Sequence, residues 1–228
     1  SDCGLDFVFI DTEHIAIDRA ELSWMCQTYA ALGLPPIVRI PSPDPYAATM
    51  ALDGGAAGVI APYMETVKQV EELRGAIKCR PIKGQKLQGI LDGGDVEPEL
   101  EVYISNGAKE RLFIVNIESV PALDALDDIL AVPGIDGLLI GPHDLSCSLG
   151  IPEKYDDPAF LAACETIFQK ARAAGIGAGI HFWGSVEQQE RFLRLGANFL
   201  IHSADISLFQ KHLKNELGAI RNAIGIAP

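Results

Sequence analysis

The chain has 228 residues, 48% of them apolar, and a formal net charge of −13 from 31 acidic and 18 basic residues. That length and apolar content suit one domain over 1–228 with a sizeable core. The acidity argues against a nucleic-acid partner, which needs clustered Lys and Arg. No apolar run approaches the roughly 20 residues of a membrane span, and Ser1-Asp2-Cys3-Gly4 lacks the basic and apolar regions of a signal peptide. Five cysteines, at 3, 26, 79, 147 and 164, form no C-x-x-C and are odd in number. A reducing, cytoplasmic setting is expected, with the cysteines as small core hydrophobes.

In chain order, short apolar β-branched runs alternate with stretches of helical periodicity. Strand Phe7–Ile10 precedes helix Arg19–Leu32, which carries Leu22, Met25, Cys26 and Tyr29 on one face. Strand Ile37–Ile40 is followed by helix Pro45–Leu52, and strand Gly58–Ala61 by helix Thr66–Ile77. The segment 80–111 breaks the rhythm with Gly84, Gly89, Gly93, Gly94 and an acidic patch from Asp92 to Glu101. It reads equally as a binding loop or lid and as an extra external helix, Glu97–Asn106. Strands Leu112–Ile117, Gly137–Ile140, Ile176–Ile180 and Phe199–Ile201 follow. Their helices are Val120–Leu130, Pro158–Ala174, Val186–Leu195 and Ile206–Ala223. Gly33, Gly175 and Gly196 sit just past helix ends, where glycine terminates a helix.

Strand–helix alternation means a parallel sheet with right-handed crossovers. A dinucleotide-type open sheet should carry G-x-G-x-x-G after its first strand, and none is present. Instead, polar residues follow many strands: Asp11 and His14, Arg39, Glu118, Asp144, His181 and His202. Functional groups at many C-terminal strand ends are the habit of the (β/α)8 TIM barrel, which is the fold expected. Seven strands are counted, so the first barrel strand is expected upstream of residue 1; an open seven-stranded sheet competes.

Glu118 ends an otherwise apolar strand on the same side as Asn116, and Asp144 follows the next strand. Two carboxylates at one rim suit a hard divalent cation; each could instead cap a helix. His14 has Asp11 three residues before it, which could fix its tautomer and make it an oriented base. Arg39, inside an apolar strand, needs an anion: a protein carboxylate, or a substrate carboxylate held by its fork. Lys68, Lys78, Lys109, Lys154, Lys170, Lys211 and Lys214 read as helix or surface positions, and Lys83 and Lys86 lie in the long segment. No strand offers a Schiff-base lysine.

Ile10-Asp11-Thr12-Glu13-His14, Ile37-Val38-Arg39-Ile40-Pro41, Asn116-Ile117-Glu118 and Gly141-Pro142-His143-Asp144-Leu145-Ser146, in this order, resemble the HpcH/HpaI aldolase family of pyruvate-binding barrels. The resemblance implies a class II aldolase that reversibly cleaves a 4-hydroxy-2-oxo acid to pyruvate and an aldehyde through a metal-bound enolate. It implies Glu118 and Asp144 as ligands of Mg²⁺ or Mn²⁺ (or Co²⁺), Arg39 at the enolate oxygen, and His14, oriented by Asp11, in proton transfer. Backbone at Gly141, Pro142, His143 and Asp144 would meet the pyruvate carboxylate, beside Asn116. Asp53 matches a position that reaches a neighbouring subunit's site, and the family is typically hexameric with exchanged C-terminal helices. The chain differs in carrying Asn116 where Gln is common, in its Pro81–Gly89 loop, and in its additional His143, His181 and Trp183. Two other activities stay open: decarboxylation of a substrate such as oxaloacetate through the same enolate, and non-catalytic 2-oxo-acid binding.

Overall fold

The computed structural model describes residues 3–225. Seven strands are present among them: β1 (Val8–Asp11), β2 (Pro36–Arg39), β3 (Gly58–Ala61), β4 (Leu112–Ile117), β5 (Gly137–Ile140), β6 (Gly177–Phe182) and β7 (Phe199–His202). All neighbouring pairs are parallel and in chain order, with β1 and β7 as the edges. The eighth strand expected upstream of residue 1 has no counterpart among the described residues. In a flat sheet, five inter-strand steps would separate β1 from β6 by about 24 Å. Yet the Phe9 ring of β1 lies 5.1 Å from the His181 ring of β6. The sheet is therefore rolled into a nearly closed barrel, which removes the open-sheet alternative.

The period-2 alternation of the strands produces two cores. Ile37, Ile60, Ile114, Leu139 and Ile201, with Phe7, Phe9 and Phe199, fill the barrel interior. Val38, Val59, Val115, Leu138 and Ile180 face outward onto the helices. Gly179 faces the Phe199 ring so closely that a Cβ there would collide with it.

Helices α1 (Arg19–Ala31), α2 (Pro45–Asp53) and α3 (Val67–Lys78) follow the first three strands. Asp18 and Asp44 cap the first two, and a Thr66–Gln69 capping box opens the third. Segment 80–111 forms two helices, α4 (Gly84–Leu91) and α5 (Pro98–Lys109), both packed on α3. Gly75 of α3 gives Leu87 and Leu91 room to approach. The second of these helices matches the external helix expected over Glu97–Asn106, and the first is an addition to it. Helix Val120–Leu130 is broken at Ala125 into α6 (Val120–Asp124) and α7 (Leu126–Leu130). Helices α8 (Pro142–Ser148), α9 (Pro158–Ala173), α10 (Val186–Arg194) and α11 (Asp205–Ala223) complete the chain. No described helix is long and apolar enough to cross a membrane.

Candidate active site

The C-terminal ends of the strands surround a cavity of about 400 Å³ lined by Asp11, His14, Arg39, Asn116, Gly141–Asp144, His181 and Trp183, among others. Six of the seven strands or the loops after them supply the groups that follow. Their arrangement is set by register and by inward alternation rather than by nearness in sequence.

Asp11 and Arg39 are register partners on β1 and β2. Their side chains form a two-point pair, Arg39 Nε and Nη2 donating to Asp11 Oδ1 and Oδ2 at 2.9 and 2.6 Å. Asp11 Oδ1 also accepts the Glu13 amide at 3.0 Å. Burial pushes the Asp11 carboxyl up, but the Arg39 hydrogen bond and charge outweigh it and hold the group below its ordinary range. This corrects the role expected of Asp11. Its oxygens are committed to Arg39, and the carboxylate nearest His14 is Glu13, 3.8 Å from His14 Nε2. His14 itself has a side chain 59% exposed at the cavity mouth. Asp53 is exposed at the end of α2, paired with Arg80 of the same chain and away from this cavity.

Glu118, only 5% exposed, follows β4. It caps no helix, because Ser119 caps α6. Its Oε1 accepts the Tyr63 amide at 2.6 Å, and Oε2 accepts Asn116 Nδ2 at 3.0 Å. Burial raises its pKa, the Tyr63 bond opposes this, and the charges of Asp144 and Glu13 raise it further. Gly141 allows the carboxylate to sit against the start of α8, since a Cβ there would collide with Glu118 Oε2. Asp144, in the first turn of α8, makes no capping bond.

Sequence reasoning missed Tyr63 and left Glu13 without a role. Tyr63 has φ 53°, an uncommon conformation for a non-glycine residue. Its amide reaches Glu118. Its phenol is pushed up to about 12, first by the neighbouring Glu13 carboxylate. Glu13 Oε2 lies 2.9 Å from Arg39 Nη1 at an angle short of a hydrogen bond. It and Asn116 Oδ1 are buried polar atoms without a hydrogen-bond partner among the described residues. Neither signal can be read from local pattern, because both depend on where the β3–α3 loop folds back.

The donor set fits a divalent cation. The Asp144 charge adds to the cost of ionising the buried Glu118, and a bound cation would relieve it. Among the described residues no group of three or more His, Cys, Asp or Glu forms a closed cage. A cation held by one or two carboxylates, with the remaining positions open to small oxygen ligands, is the habit of Mg²⁺-type sites.

Comparison with known proteins places this rolled parallel barrel, with Glu118, Asp144 and Arg39 at its C-terminal mouth, among carbon–carbon lyases of the aldolase type. The chain belongs to the HpcH/HpaI aldolase/citrate lyase family, whose model matches residues 1–211. It is 29% identical over 211 residues to hydroxypyruvate/pyruvate aldolase of Agrobacterium fabrum, covering 92% of this chain and 79% of the relative. It is 30% identical over 219 residues to 2-keto-3-deoxy-L-rhamnonate aldolase of Klebsiella pneumoniae, covering 96% and 82%. The crystal structure of an HpcH/HpaI aldolase from Desulfitobacterium hafniense superposes with a TM-score of 0.84 at 26% identity, over 100% of this chain and 88% of that one. The family is a class of divalent-metal-dependent aldolases.

Proposed function

We propose that the chain reversibly cleaves a 4-hydroxy-2-oxo acid to pyruvate and an aldehyde at this cavity. The observation that carries the reading is the buried Glu118 carboxylate, destabilised by Asp144 at the edge of a cavity that also holds Arg39. Relatives named as aldolases for hydroxypyruvate, pyruvate and 2-keto-3-deoxy-L-rhamnonate support the substrate class.

Glu118 and Asp144 would hold the cation, for which Mg²⁺ or Mn²⁺ suits an all-oxygen set. Such an ion supplies Lewis-acid stabilisation of an enolate oxygen, worth several kcal/mol. The chain's own groups do the rest. Arg39, fixed by Asp11, keeps its charge because carboxylates surround it; burial lowers its pKa, but Asp11, Glu13 and Glu118 raise it. It can therefore face a developing oxyanion without reorganising. The His143 and Asp144 amides, in the first turn of α8, can meet the pyruvate carboxylate; Pro142 has no N–H and shapes the turn. His14, at the mouth, would take the 4-hydroxyl proton during cleavage and return it during addition, and would likewise serve the proton transfer at the pyruvate methyl that exchange reads.

Incubation with pyruvate in D₂O and Mg²⁺ tests this: the methyl protons should exchange. His14→Ala should lose exchange while keeping metal affinity, and Glu118→Ala should lose both. Full metal affinity in Glu118→Ala overturns the ligand assignment. Exchange without condensation onto any aldehyde favours the decarboxylase reading.

Self-association is also part of the proposal. Helix α11 has no buried residue and exposes Ile206, Leu208, Phe209, Leu213, Leu217 and Ile220, a face suited to other copies of the chain. The five cysteines are all free, which supports a cytoplasmic setting.

A further inference from the structure

His181 lies on β6, in register with Ile201 of β7, and lines the cavity. Its Nε2 is 3.1 Å from the Ser203 carbonyl oxygen. A carbonyl only accepts, so Nε2 must carry the proton. Burial lowers the pKa of the ring, the Ser203 bond opposes this, and the neutral form is favoured. In that form Nδ1 holds a lone pair, and it has no hydrogen-bond partner among the described residues.

The ring is also held in place. Phe9 and Trp183 pack edge-to-face on it at 5.1 and 5.0 Å. Ser203, at φ 57°, donates its amide to Phe182 O at 3.1 Å while its carbonyl accepts from His181. A ring flip would break that bond and bring a lone pair against a carbonyl. His181 is thus a fixed acceptor in the cavity that Arg39 and Gly141–Asp144 also line.

We propose that His181 is a specificity-determining residue whose Nδ1 accepts a hydroxyl from the aldehyde-derived half of the substrate, making short neutral hydroxyaldehydes the preferred partners. This rests on the aldolase reading above, in which the pyruvate half is met by the other groups. A lone pair attracts an O–H and repels a carboxylate or phosphate oxygen. The indole of Trp183 supplies an apolar surface for the carbon chain.

The test compares addition of pyruvate to glycolaldehyde and to propanal, which puts a methyl in place of the hydroxyl, in the Mg²⁺-loaded protein. The reading is the ratio of the two kcat/KM values. His181→Asn keeps an acceptor at the δ position and should hold the wild-type ratio. His181→Gln keeps an ε donor for Ser203 but loses the δ acceptor. Its ratio should fall about tenfold, the worth of roughly one neutral hydrogen bond. An unchanged ratio in His181→Gln overturns the proposal, as does an equal loss on both aldehydes, which a purely structural role would give. Wild-type pyruvate exchange in D₂O separates the two readings. Without exchange the aldolase reading itself fails; with exchange but no change in ratio, only the role of His181 fails.

Discussion

The barrel buries one cation near each end, and the two are treated differently. Towards the N-terminal end, Lys78 of α3 donates to the carbonyls of Ala108 and Arg111 and to Asp136 Oδ2 at 2.6 Å. Asp136 Oδ2 in turn accepts the Phe113 amide at 2.7 Å. All three donors of the ammonium are used, and the pair ties the start of β4 to α3 and α5. At the C-terminal end, Arg39 meets Asp11 and Glu13, yet its contact with Glu13 Oε2 is a charge contact without hydrogen-bond alignment, Asn116 Oδ1 has no hydrogen-bond partner among the described residues, and Glu118 is raised. Complete pairing marks a strut. A surplus of buried acceptors around one arginine marks a place where something cationic or protonated is meant to arrive.

Removing the strut should have the largest effect on stability. Lys78→Met leaves the solvent-reachable Asp136 with the Phe113 amide alone and should cost about 3 kcal/mol in urea unfolding, because all the charge-assisted hydrogen bonds of a buried ammonium are lost and two carbonyls lose their donor. The Mg²⁺-dependent rise in Tm should persist, because nothing at the other end is touched. Loss of that rise would mean that the two ends are coupled. Asp11→Asn should cost less, about 2 kcal/mol, because Glu13 still faces Arg39. Its pH dependence has a definite sign. The folded-state pKa of Asp11 is depressed, so its contribution is present above the unfolded value of about 3.9 and is lost as pH falls through the folded value. The stability gap between wild type and Asp11→Asn should therefore be full at pH 7 and shrink below about pH 4. A gap constant down to the acid limit would show that the pair contributes packing and not charge.

The same contrast explains what the sequence could disclose. Arg39 and Glu118 were legible because a charge inside an apolar strand needs a reason, and Asp144 because it follows the next strand. The strands fell within a residue or two of their observed limits, since period-2 alternation and inward packing are local. Lys78 was read as a helix or surface position, and it does end α3, but its burial and its pairing were not foreseen. Its partners lie 30, 33 and 58 residues away, and nothing on α3 announces them. Asp11 was given to His14 by nearness in sequence, whereas strand register gives it to Arg39. Tyr63 contributes its backbone amide through a left-handed turn, a role that no side-chain pattern encodes.

The smallest effect should also have the opposite sign. Glu118→Gln removes a buried charge that Asp144 and Glu13 oppose. The glutamine oxygen can still accept the Tyr63 amide. Its Nε2 would meet Asn116 Nδ2, but a flip of the Asn116 amide turns Oδ1 toward it and moves Nδ2 into the unpartnered place, so the number of orphaned groups does not rise. Metal-free Glu118→Gln should therefore be more stable than metal-free wild type by about 0.5–1 kcal/mol at neutral pH, the trade expected where a site holds unfavourable charge for function. Adding Mg²⁺ should reverse the order, because ligand binding to the folded state raises Tm only in the chain that retains the site. A metal-free variant less stable than wild type would place Glu118 with Lys78, as a group held for structure, and would remove the reason for expecting a cation at the mouth.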